Sequence, residues 1–426
     1  MKWRHFVVFL LSFWVCTAVA SAQDDGEIAA ALKKVSAERI RADIYKLVSF
    51  GTRHTASAEA SETRGVGAAR RWIFSEMKKN IPASGGRLEV FEDWFEGESR
   101  RIARQRMANV VAILRGEEGK KRAYVVGGHY DSRASNPRDA ESDAPGADDD
   151  GSGTAVTLEL LRVMAPLKFN ATLIFVAFVG EEQGLLGSTH LAEWLKNEGY
   201  EIDGMLALDI VGNSVGGSGL RDEGTVRCFS KGIADGDSIS REWARYVAGM
   251  AGRYVRDTKV ELIYRRDRYG RGGDHIPFER GGYPAARLSE MYENYFHQHQ
   301  DVRMEGGIQY GDLPEFVDAN YAARVARVAG AALMNAARAP APPPKVTLKG
   351  AVAYDTTLAW EAVAGAAGYV VVYRKPTAAR WEQGVAAGVV TSLVLKDVVA
   401  DNFVFGVKSV DGAGHESRVQ PAVFVR

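Results

Sequence analysis

The chain has 426 residues, in which 54 lysine and arginine residues are balanced by 54 aspartate and glutamate residues. This neutrality gives no reason to expect a nucleic-acid or polyanion partner. The length exceeds what one ordinary hydrophobic core contains, so we expect two domains.

The first 22 residues have the layout of a secretory signal peptide. Lys2 and Arg4 precede an apolar run over residues 6–15, and residues 20–22 are small enough for a cleavage site. We therefore predict a mature chain that begins near Gln23 and is exported to the periplasm or the extracellular space. No second apolar run approaches membrane-spanning length, so we expect no transmembrane segment. Cys228 is then the only cysteine of the mature chain and is expected to be a buried, unpaired thiol.

A proline run over residues 339–344 marks a domain boundary. Such a run resists both helix and sheet, and we expect it to keep its neighbours apart. The predicted organisation is a signal peptide (residues 1–22), a first domain (residues 23–338), the linker (residues 339–344) and a second domain (residues 345–426).

Upstream of the boundary, strand-like apolar runs alternate with helical stretches. The alternation predicts an α/β sheet with helices on both faces. The predicted strands cover residues 109–114, 123–127, 172–179 and 205–211, and the predicted helices lie around residues 154–164, 186–197 and 316–338. Acids and histidines cluster at or just past the strand ends, where open α/β sheets bind their ligands.

Two of these clusters follow the second predicted strand. His129 and Asp131 form a His-x-Asp pair, in which the carboxylate would orient the imidazole as a zinc ligand. Asp149 is the middle of three consecutive acids before a helical stretch. Asp150 or Ser152 can simply cap that helix, whose positive end favours acids. However, three adjacent carboxylates also favour a bound cation.

Further acids and histidines follow downstream. Glu181 and Glu182 are paired at a strand end, where one can bind metal while the other stays free to take a proton. Asp209 is a lone acid in an apolar strand, which needs a zinc ion, an arginine or a cap as partner. His297 and His299 can both bind metal.

Five motifs in this order resemble the M28 family of zinc aminopeptidases over roughly residues 40–338. They are HYD (residues 129–131), PGADDDGSG (145–153), GEEQGLLGS (180–188), LDIVG (208–212) and HQHQD (297–301). The resemblance implies the phosphorylase/hydrolase-like α/β/α sandwich of the zinc exopeptidases, with a mixed sheet.

The resemblance also implies a site with two Zn²⁺ ions per chain. Asp149 would bridge the ions, with His129 and Asp209 completing one and Glu182 and His297 the other. The family pattern of a histidine four residues before an aspartate selects His297, with His299 as the alternative. Glu181 would be the general base for zinc-activated attack of water, and Asp131 would support it through His129. The implied substrates are peptides with a free amino terminus.

Three points stay open at this level. The family often has a tyrosine before its last histidine, whereas this chain has Phe296, so Tyr295 or Tyr292 would have to stabilise the oxyanion. Asp274, in a further family-like segment, would steady a loop or a ligand, or simply start a helix. The arginine-rich run over residues 265–271 is interpreted as a solvated loop at the active-site rim.

The region after the linker resembles an all-β fibronectin type III sandwich. The resemblance rests on LAW (residues 358–360), GYVVVYR (368–374) and FVFGVKSVDGAGHES (403–417). Phe403 replaces the tyrosine that forms a corner hydrogen bond in that family. We expect a spacer, or a module that docks weakly to a surface or a large substrate.

The sequence favours a dizinc aminopeptidase over two alternatives. One is glutaminyl cyclase-like or carboxypeptidase activity on the same fold. The other is a non-catalytic binding protein, which would have no physical need to keep so many costly polar groups together.

Overall fold

The computed structural model describes residues 26–232 and 237–425, so the predicted signal peptide lies outside the described residues. Eight α-helices occur in this part of the chain: α1 (Gly26–Leu32), α2 (Ala37–Val48), α3 (Val66–Lys78), α4 (Gly151–Met164), α5 (Leu186–Asn197), α6 (Ile239–Tyr254), α7 (His275–Arg280) and α8 (Ala319–Arg338). Short 3₁₀ turns cover Pro82–Ser84, Gly119–Lys121, Pro314–Phe316 and Ala400–Asn402.

The first domain is organised around one mixed sheet of eight strands, in the order β1-β2-β4-β3-β5-β8-β6-β7. Its strands are β1 (Leu88–Gly97), β2 (Gln105–Leu114), β3 (Ala123–His129), β4 (Thr172–Phe178), β5 (Ile202–Leu208), β6 (Thr225–Phe229), β7 (Lys259–Ile263) and β8 (Ala285–Glu290). A separate hairpin pairs β9 (Arg303–Glu305) with β10 (Ile308–Tyr310).

The centre of the sheet is parallel and buried on both faces. Strand β3 runs parallel to β4 and β5, and β5 runs parallel to β8. Adjacent residues of β2, such as Val110 and Val111, point to opposite faces of the sheet and belong to two different hydrophobic clusters. The arrangement confirms the expected α/β fold, because only a sheet covered on both faces needs apolar residues at every position.

The predicted strands and helices of this domain are all present, and the differences lie at their ends; the helix predicted over residues 316–338, for example, begins at Ala319. The strand predicted over residues 205–211 ends at Leu208. Ile210 has a φ of 58°, a left-handed conformation that a strand cannot contain. The chain therefore leaves the sheet directly before Asp209.

The region after the linker forms two four-stranded sheets, which share one core. One sheet has the order β15-β12-β11-β18 and the other β14-β13-β16-β17. Leu358 from the first sheet and Val371 and Phe405 from the second belong to the same buried cluster. The strands are β11 (Thr347–Lys349), β12 (Thr356–Ala359), β13 (Gly368–Arg374), β14 (Gln383–Gly388), β15 (Ser392–Leu395), β16 (Val404–Val410), β17 (Gln420–Pro421) and β18 (Val423–Phe424).

The expectation that the proline run keeps the two regions apart is wrong. The Tyr246 hydroxyl on α6 donates to the carbonyl of Glu416 over 2.9 Å, and the Trp381 indole N–H donates to Glu242 over 3.0 Å. Arg418 pairs with Asp203. A short linker that cannot fold by itself still allows its neighbours to dock when their surfaces are complementary.

Two smaller expectations concern the membrane and the thiol. No helix in the described ranges combines the length and the apolar character needed to cross a bilayer. Cys228 is buried in β6 without a disulfide partner, as expected, and burial raises the pKa of its thiol to about 12.

Candidate metal centre

Four of the five predicted metal ligands come together at the carboxyl ends of the central parallel strands, and His297 does not. His129 is the last residue of β3, Glu182 lies four residues beyond the end of β4, and Asp209 directly follows β5. Asp149 lies just before α4. These strands are hydrogen-bonded neighbours, so residues far apart in sequence converge at one edge of the sheet.

Asp150 connects β3 to α4. Its side chain accepts hydrogen bonds from the main-chain N–H of Gly153 (2.8 Å) and of His129 (2.9 Å), and it is the N-cap of α4. The capping prediction for Asp150 is therefore confirmed. A Cβ atom at Gly128 would lie 2.5 Å from the Asp150 carboxylate, so only glycine permits this close approach.

Asp149 presents one carboxylate oxygen to each of two groups of potential ligands. Oδ1 lies 3.2 Å from His129 Nε2, and Oδ2 lies 3.0 Å from His299 Nε2. Asp209 completes the first group and Glu182 the second. Oδ2 is buried and has no hydrogen bond of good geometry among the described residues. A buried acceptor of this kind fits a cation.

The spacing within both groups suits zinc. His129 Nε2 is 3.9 Å from Asp209 Oδ1, and His299 Nε2 is 2.8 Å from Glu182 Oε1. Ligands bound tetrahedrally at zinc distances are about 3.4 Å apart. Imidazole nitrogen and carboxylate oxygen are also ligands that zinc accepts, so the residues fit two zinc ions.

The negative charge of the site acts on the imidazoles. Burial lowers the pKa of His299, but the charges of Glu182 and Asp149 outweigh this effect and raise it to about 10. The pKa of His129 is likewise raised by its hydrogen bond to Asp149 and by nearby carboxylates, against the effect of burial. Carboxylates that hold protons on two imidazoles are equally suited to neutralise a dication.

The selection of His297 as a metal ligand is not supported by this geometry. Its ring stacks on Phe316 with centroids 3.8 Å apart, and its Nε2 lies 3.4 Å from the amide nitrogen of Asn294. Burial lowers the pKa of His297 to about 4. His299 adopts a φ of 52°, and this left-handed turn leads its imidazole to Asp149 and Glu182 instead.

Asp131 orients more than one part of the site. The ring nitrogen Nδ1 of His129 lies 3.0 Å from the Asp131 carbonyl oxygen and 3.7 Å from its carboxylate. The main chain is thus the nearer acceptor, contrary to the expectation. The carboxylate instead accepts the main-chain N–H groups of Glu181 and Glu182, each over 3.2 Å. Asp131 therefore fixes the turn that carries both glutamates.

Glu181 and Glu182 differ in their surroundings. Glu182 is buried and contacts His299, whereas Glu181 faces a cavity without a basic side chain in contact among the described residues. Desolvation raises the pKa of the Glu181 carboxyl well above its usual value, and the charges of Glu182, Asp209 and Asp274 act in the same direction. A carboxyl group with a raised pKa is suited to accept and return a proton.

Asp209 has the arginine partner that the sequence left open as an alternative. Arg287 Nη2 lies 2.9 Å from Asp209 Oδ1 and also donates to its carbonyl oxygen over 3.2 Å. Arg287 is buried and pairs with Asp267 as well. The pair fixes the carboxylate beside His129, and it does not remove Asp209 from the first ligand group.

Two buried residues that sequence reasoning missed hold the loop before Asp149. The guanidinium of Arg53 donates to the carbonyls of Tyr130, Pro145 and Gly146. Asp312 accepts the main-chain N–H groups of Asp148 and Asp149 over 2.9 and 2.7 Å. No local motif marked these residues, because their partners are main-chain atoms of distant segments.

A cavity of about 480 Å³ opens beside the two groups. It is lined by Arg101, Arg133, Asp149, Glu181, Glu182, Leu185, Asp209, Arg268, Gly270, Arg271, Gly272 and His299. The predicted position of the arginine-rich run at the site is therefore confirmed. The run is not simply solvated, because Arg268 is buried against Asp267 and Glu293.

Asp274 and the aromatic residues near His297 lie in different surroundings. Asp274 starts α7 as the N-cap residue but makes no capping hydrogen bond through its side chain, and burial raises its pKa to about 7. Tyr295 is 67% exposed, and Phe296 packs on Tyr310. Neither of these residues nor Tyr292 contributes to the cavity lining in the described part of the chain.

Known proteins resemble the chain in sequence. The pattern of peptidase family M28 matches residues 109–322. A protein of Leptosphaeria maculans named as a probable zinc metalloprotease is 45% identical over 419 residues, which cover 93% of this chain and 96% of that protein. A probable zinc metalloprotease of Pyricularia oryzae is 43% identical over 427 residues, which cover 94% of this chain and 85% of that protein.

Solved structures share the fold at lower identity. The Legionella pneumophila LapA aminopeptidase matches with a TM-score of 0.58 and 21% identity, covering 74% of this chain and 76% of that chain. The Porphyromonas gingivalis glutaminyl cyclase matches with a TM-score of 0.53 and 20% identity, covering 70% of this chain and 97% of that chain.

Proposed function

The chain belongs to peptidase family M28, and from this premise we propose that it is a dizinc aminopeptidase, which removes amino-terminal residues from peptides. The single observation that carries the proposal is the position of Asp149. Its two oxygens face two separate groups of ligands, 3.2 Å from His129 and 3.0 Å from His299. A carboxylate shared in this way is the bridge that a pair of zinc ions needs.

The proposed ligands are His129, Asp149 and Asp209 for one ion and Asp149, Glu182 and His299 for the other. Zinc, when bound, polarises a carbonyl group and lowers the pKa of water. The chain supplies the proton transfers. A carboxylate oxygen of Glu181 takes a proton from the attacking water and returns it to the nitrogen of the departing peptide. The Asp131 carboxylate holds Glu181 in place by accepting a hydrogen bond from the main-chain N–H of Glu181.

The carboxylates of the site support aminopeptidase specificity. A free α-amino group is a cation, and the cavity offers Glu181 together with the carboxylates of the ligand groups. The structural similarity to an aminopeptidase agrees with this proposal, although a glutaminyl cyclase shares the same fold. Glutaminyl cyclase-like and carboxypeptidase activities are the alternatives, and the metal count and the reaction products separate them from aminopeptidase activity.

The remaining proposals concern the other parts of the chain. We propose that residues 1–22 are a cleaved export signal, which amino-terminal sequencing of the secreted protein would test.

Residues 345–426 are proposed to be a fibronectin type III-like domain. The support is the pair of four-stranded sheets around one core, in which Phe403 packs on Tyr373 at the position of the missing corner tyrosine.

The test combines metal analysis with kinetics. The purified protein should contain two zinc ions per chain, lose activity on chelation, and hydrolyse aminoacyl amides only when their amino group is free. Glu181→Gln should keep both ions and lose turnover by about 10²-fold to 10⁴-fold, as expected for loss of a general base. Glu193→Gln, the same change on an exposed position of α5, is the control.

Two results would contradict the proposal. An active protein without metal would exclude the dizinc mechanism. Loss of zinc from Glu181→Gln would show that Glu181 is the ligand and that the roles of Glu181 and Glu182 are reversed.

A further inference from the structure

The cavity beside the metal ligands is lined by guanidinium groups. Arg101, Arg133, Arg268 and Arg271 contribute to its surface, and Leu185 is its one large apolar side chain among the described residues. Pockets for small ligands are usually lined by apolar and aromatic groups. This cavity is therefore poorly suited to an apolar substrate side chain.

The positive charge beside the cavity exceeds its local compensation. Glu293 alone accepts contacts from Arg227, Arg268 and Arg271, at 2.5, 3.0 and 2.8 Å. Arg287 shares Asp267 with Arg268. Arg287 also pairs with Asp209, so these four guanidinium groups share the three carboxylates of Glu293, Asp267 and Asp209. The excess of positive charge favours an anionic ligand.

A structural role explains one of the lining arginines. Arg268 is buried and donates to Asp267, Glu293 and the carbonyl of Gly272. These contacts brace the loop that contains it, so Arg268 is not proposed to bind substrate.

Arg271 differs because two of its three guanidinium nitrogens have no hydrogen-bond partner among the described residues. Its contacts in the described part of the chain all use Nη1, which donates to Glu293 over 2.8 Å and to Gln298 over 2.9 Å. Nε and Nη2 are left on a side chain that is 27% exposed in the cavity. Guanidinium groups with two neighbouring free donors bind carboxylates in a bidentate manner.

Arg101 and Arg133 approach the second ligand group from another segment. Arg101 donates through Nη1 to the carbonyl oxygen of Glu182. Arg133 Nη1 lies 3.9 Å from the Glu182 carboxylate, while its Nε and Nη2 bind main-chain carbonyls. Gln298, the partner of Arg271, directly precedes His299. The ligand group of Asp149, Glu182 and His299 is thus flanked by three arginines.

We propose that the substrate has a carboxylate within one residue of the scissile bond, and that Arg271, Arg101 and Arg133 bind it beside the second ligand group. This inference rests on the proposed peptidase function and specifies its substrate class. The carboxylate can belong to an acidic side chain or to the free carboxyl terminus of a dipeptide. Both present the same planar anion to a guanidinium group.

Matched substrates distinguish the two sources. Glu-Ala and Gln-Ala have the same shape and differ in side-chain charge, whereas Gln-Ala and Gln-Ala amide differ in terminal charge. At least one pair should show a preference of about 10-fold or more in kcat/KM for the anionic member, as expected for a hydrogen-bonded charge pair. Equal rates in both pairs would overturn the inference while leaving peptidase function intact. Failure to hydrolyse any of these substrates or an aminoacyl amide would count against the proposed function itself.

Variants locate the preference in the cavity. Arg271→Gln and Arg133→Gln should each reduce the preferred ratio toward one, and Arg271→Lys should restore part of it. Arg104→Gln, on an exposed arginine paired with Glu96, is the control for the loss of one charge. Zinc content is measured for every variant, because Arg271 also contacts the residue before His299.

Binding provides a readout separate from turnover. Isothermal titration of zinc-loaded Glu181→Gln with the preferred anionic substrate and its neutral match should show the same order of affinity, and the difference should disappear when Arg271→Gln is added. An unchanged ratio in both arginine variants, or a loss of zinc that accompanies the loss of preference, would overturn the assignment of these arginines.

Discussion

His299 Nε2 lies 2.8 Å from Glu182 Oε1, although the two residues are 117 positions apart in sequence. The same nitrogen lies 3.0 Å from Asp149 Oδ2. Of the two neighbouring histidines, it is therefore His299 that we propose to share a metal ion with Asp149. This relationship also provides a sharp test, because His297 is a matched residue two positions away that points elsewhere.

His299→Ala should reduce the zinc content from two ions per chain toward one and lower kcat by at least 10²-fold, because the second ligand group loses its only imidazole. His297→Ala should keep both ions, since its ring packs on Phe316 outside the group. Metal analysis after dialysis, with kinetics on the same samples, measures both effects. Loss of zinc from His297→Ala with retention in His299→Ala would reverse the assignment.

Asp131→Asn should lower kcat by about 10-fold to 100-fold, the usual cost of changing a residue that orients metal ligands. The asparagine side chain has one acceptor oxygen, whereas the aspartate accepts from both Glu181 and Glu182. Asp139→Asn is a matched control, because Asp139 also accepts two main-chain N–H groups, those of Glu141 and Ser142, in an exposed turn. Equal kinetic effects of the two changes would exclude a specific role for Asp131.

Glu293 should make the stability of the fold depend on pH. Burial raises the pKa of Glu293, but the charges of Arg268, Arg227 and Arg271 outweigh burial and lower it to about 2. A carboxyl group whose pKa is depressed on folding stabilises the protein above its unfolded pKa of about 4.5. That stability is lost as the pH falls toward 2, and its size is on the order of 3 kcal/mol.

Glu293→Gln should therefore be less stable than the native chain at pH 7, and the difference should shrink between pH 5 and pH 2. Urea unfolding with a chelator present measures this without a contribution from metal release. Glu305→Gln, at an exposed residue paired with Arg303, should show no such trend. A difference that stays constant with pH would contradict the pKa shift.

Removal of residues 345–426 should lower thermal stability while leaving kcat on a small amide within about threefold. The cavity lining comes from residues 101–299 of the described chain, whereas the lost contacts involve Tyr246, Glu242 and Asp203. The truncated chain should end after Pro344, because the Ala339 carbonyl binds Arg122 over 2.6 Å. Trp381→Phe, which deletes the hydrogen bond to Glu242, should show a smaller decrease in melting temperature. A tenfold fall in kcat of the folded, zinc-loaded truncation would assign the second region a catalytic role.

The framework of the site follows from patterns in the amino-acid sequence. The alternation of apolar runs predicted a sheet covered on both faces, and the acids at strand ends predicted where ligands converge, because parallel strands place their carboxyl ends at one edge. These local patterns marked His129, Glu182, Asp209 and the acidic triplet around Asp149 as candidates, and the resemblance to family M28 implied which of them are ligands. Each of them lies at the end of a regular element or within four residues of one, so the sequence places it at the same edge of the sheet.

The folded chain brings His299, rather than His297, to Asp149 and Glu182, and no sequence pattern marks the left-handed conformation of His299. The same holds for Arg287 beside Asp209 and for Arg53 and Asp312 behind the aspartate loop, whose partners are far away in sequence. The arginine-lined cavity is assembled from three segments, around residues 101, 133 and 268–271. Local patterns cannot reveal such a surface, since its charge arises when folding brings these segments together.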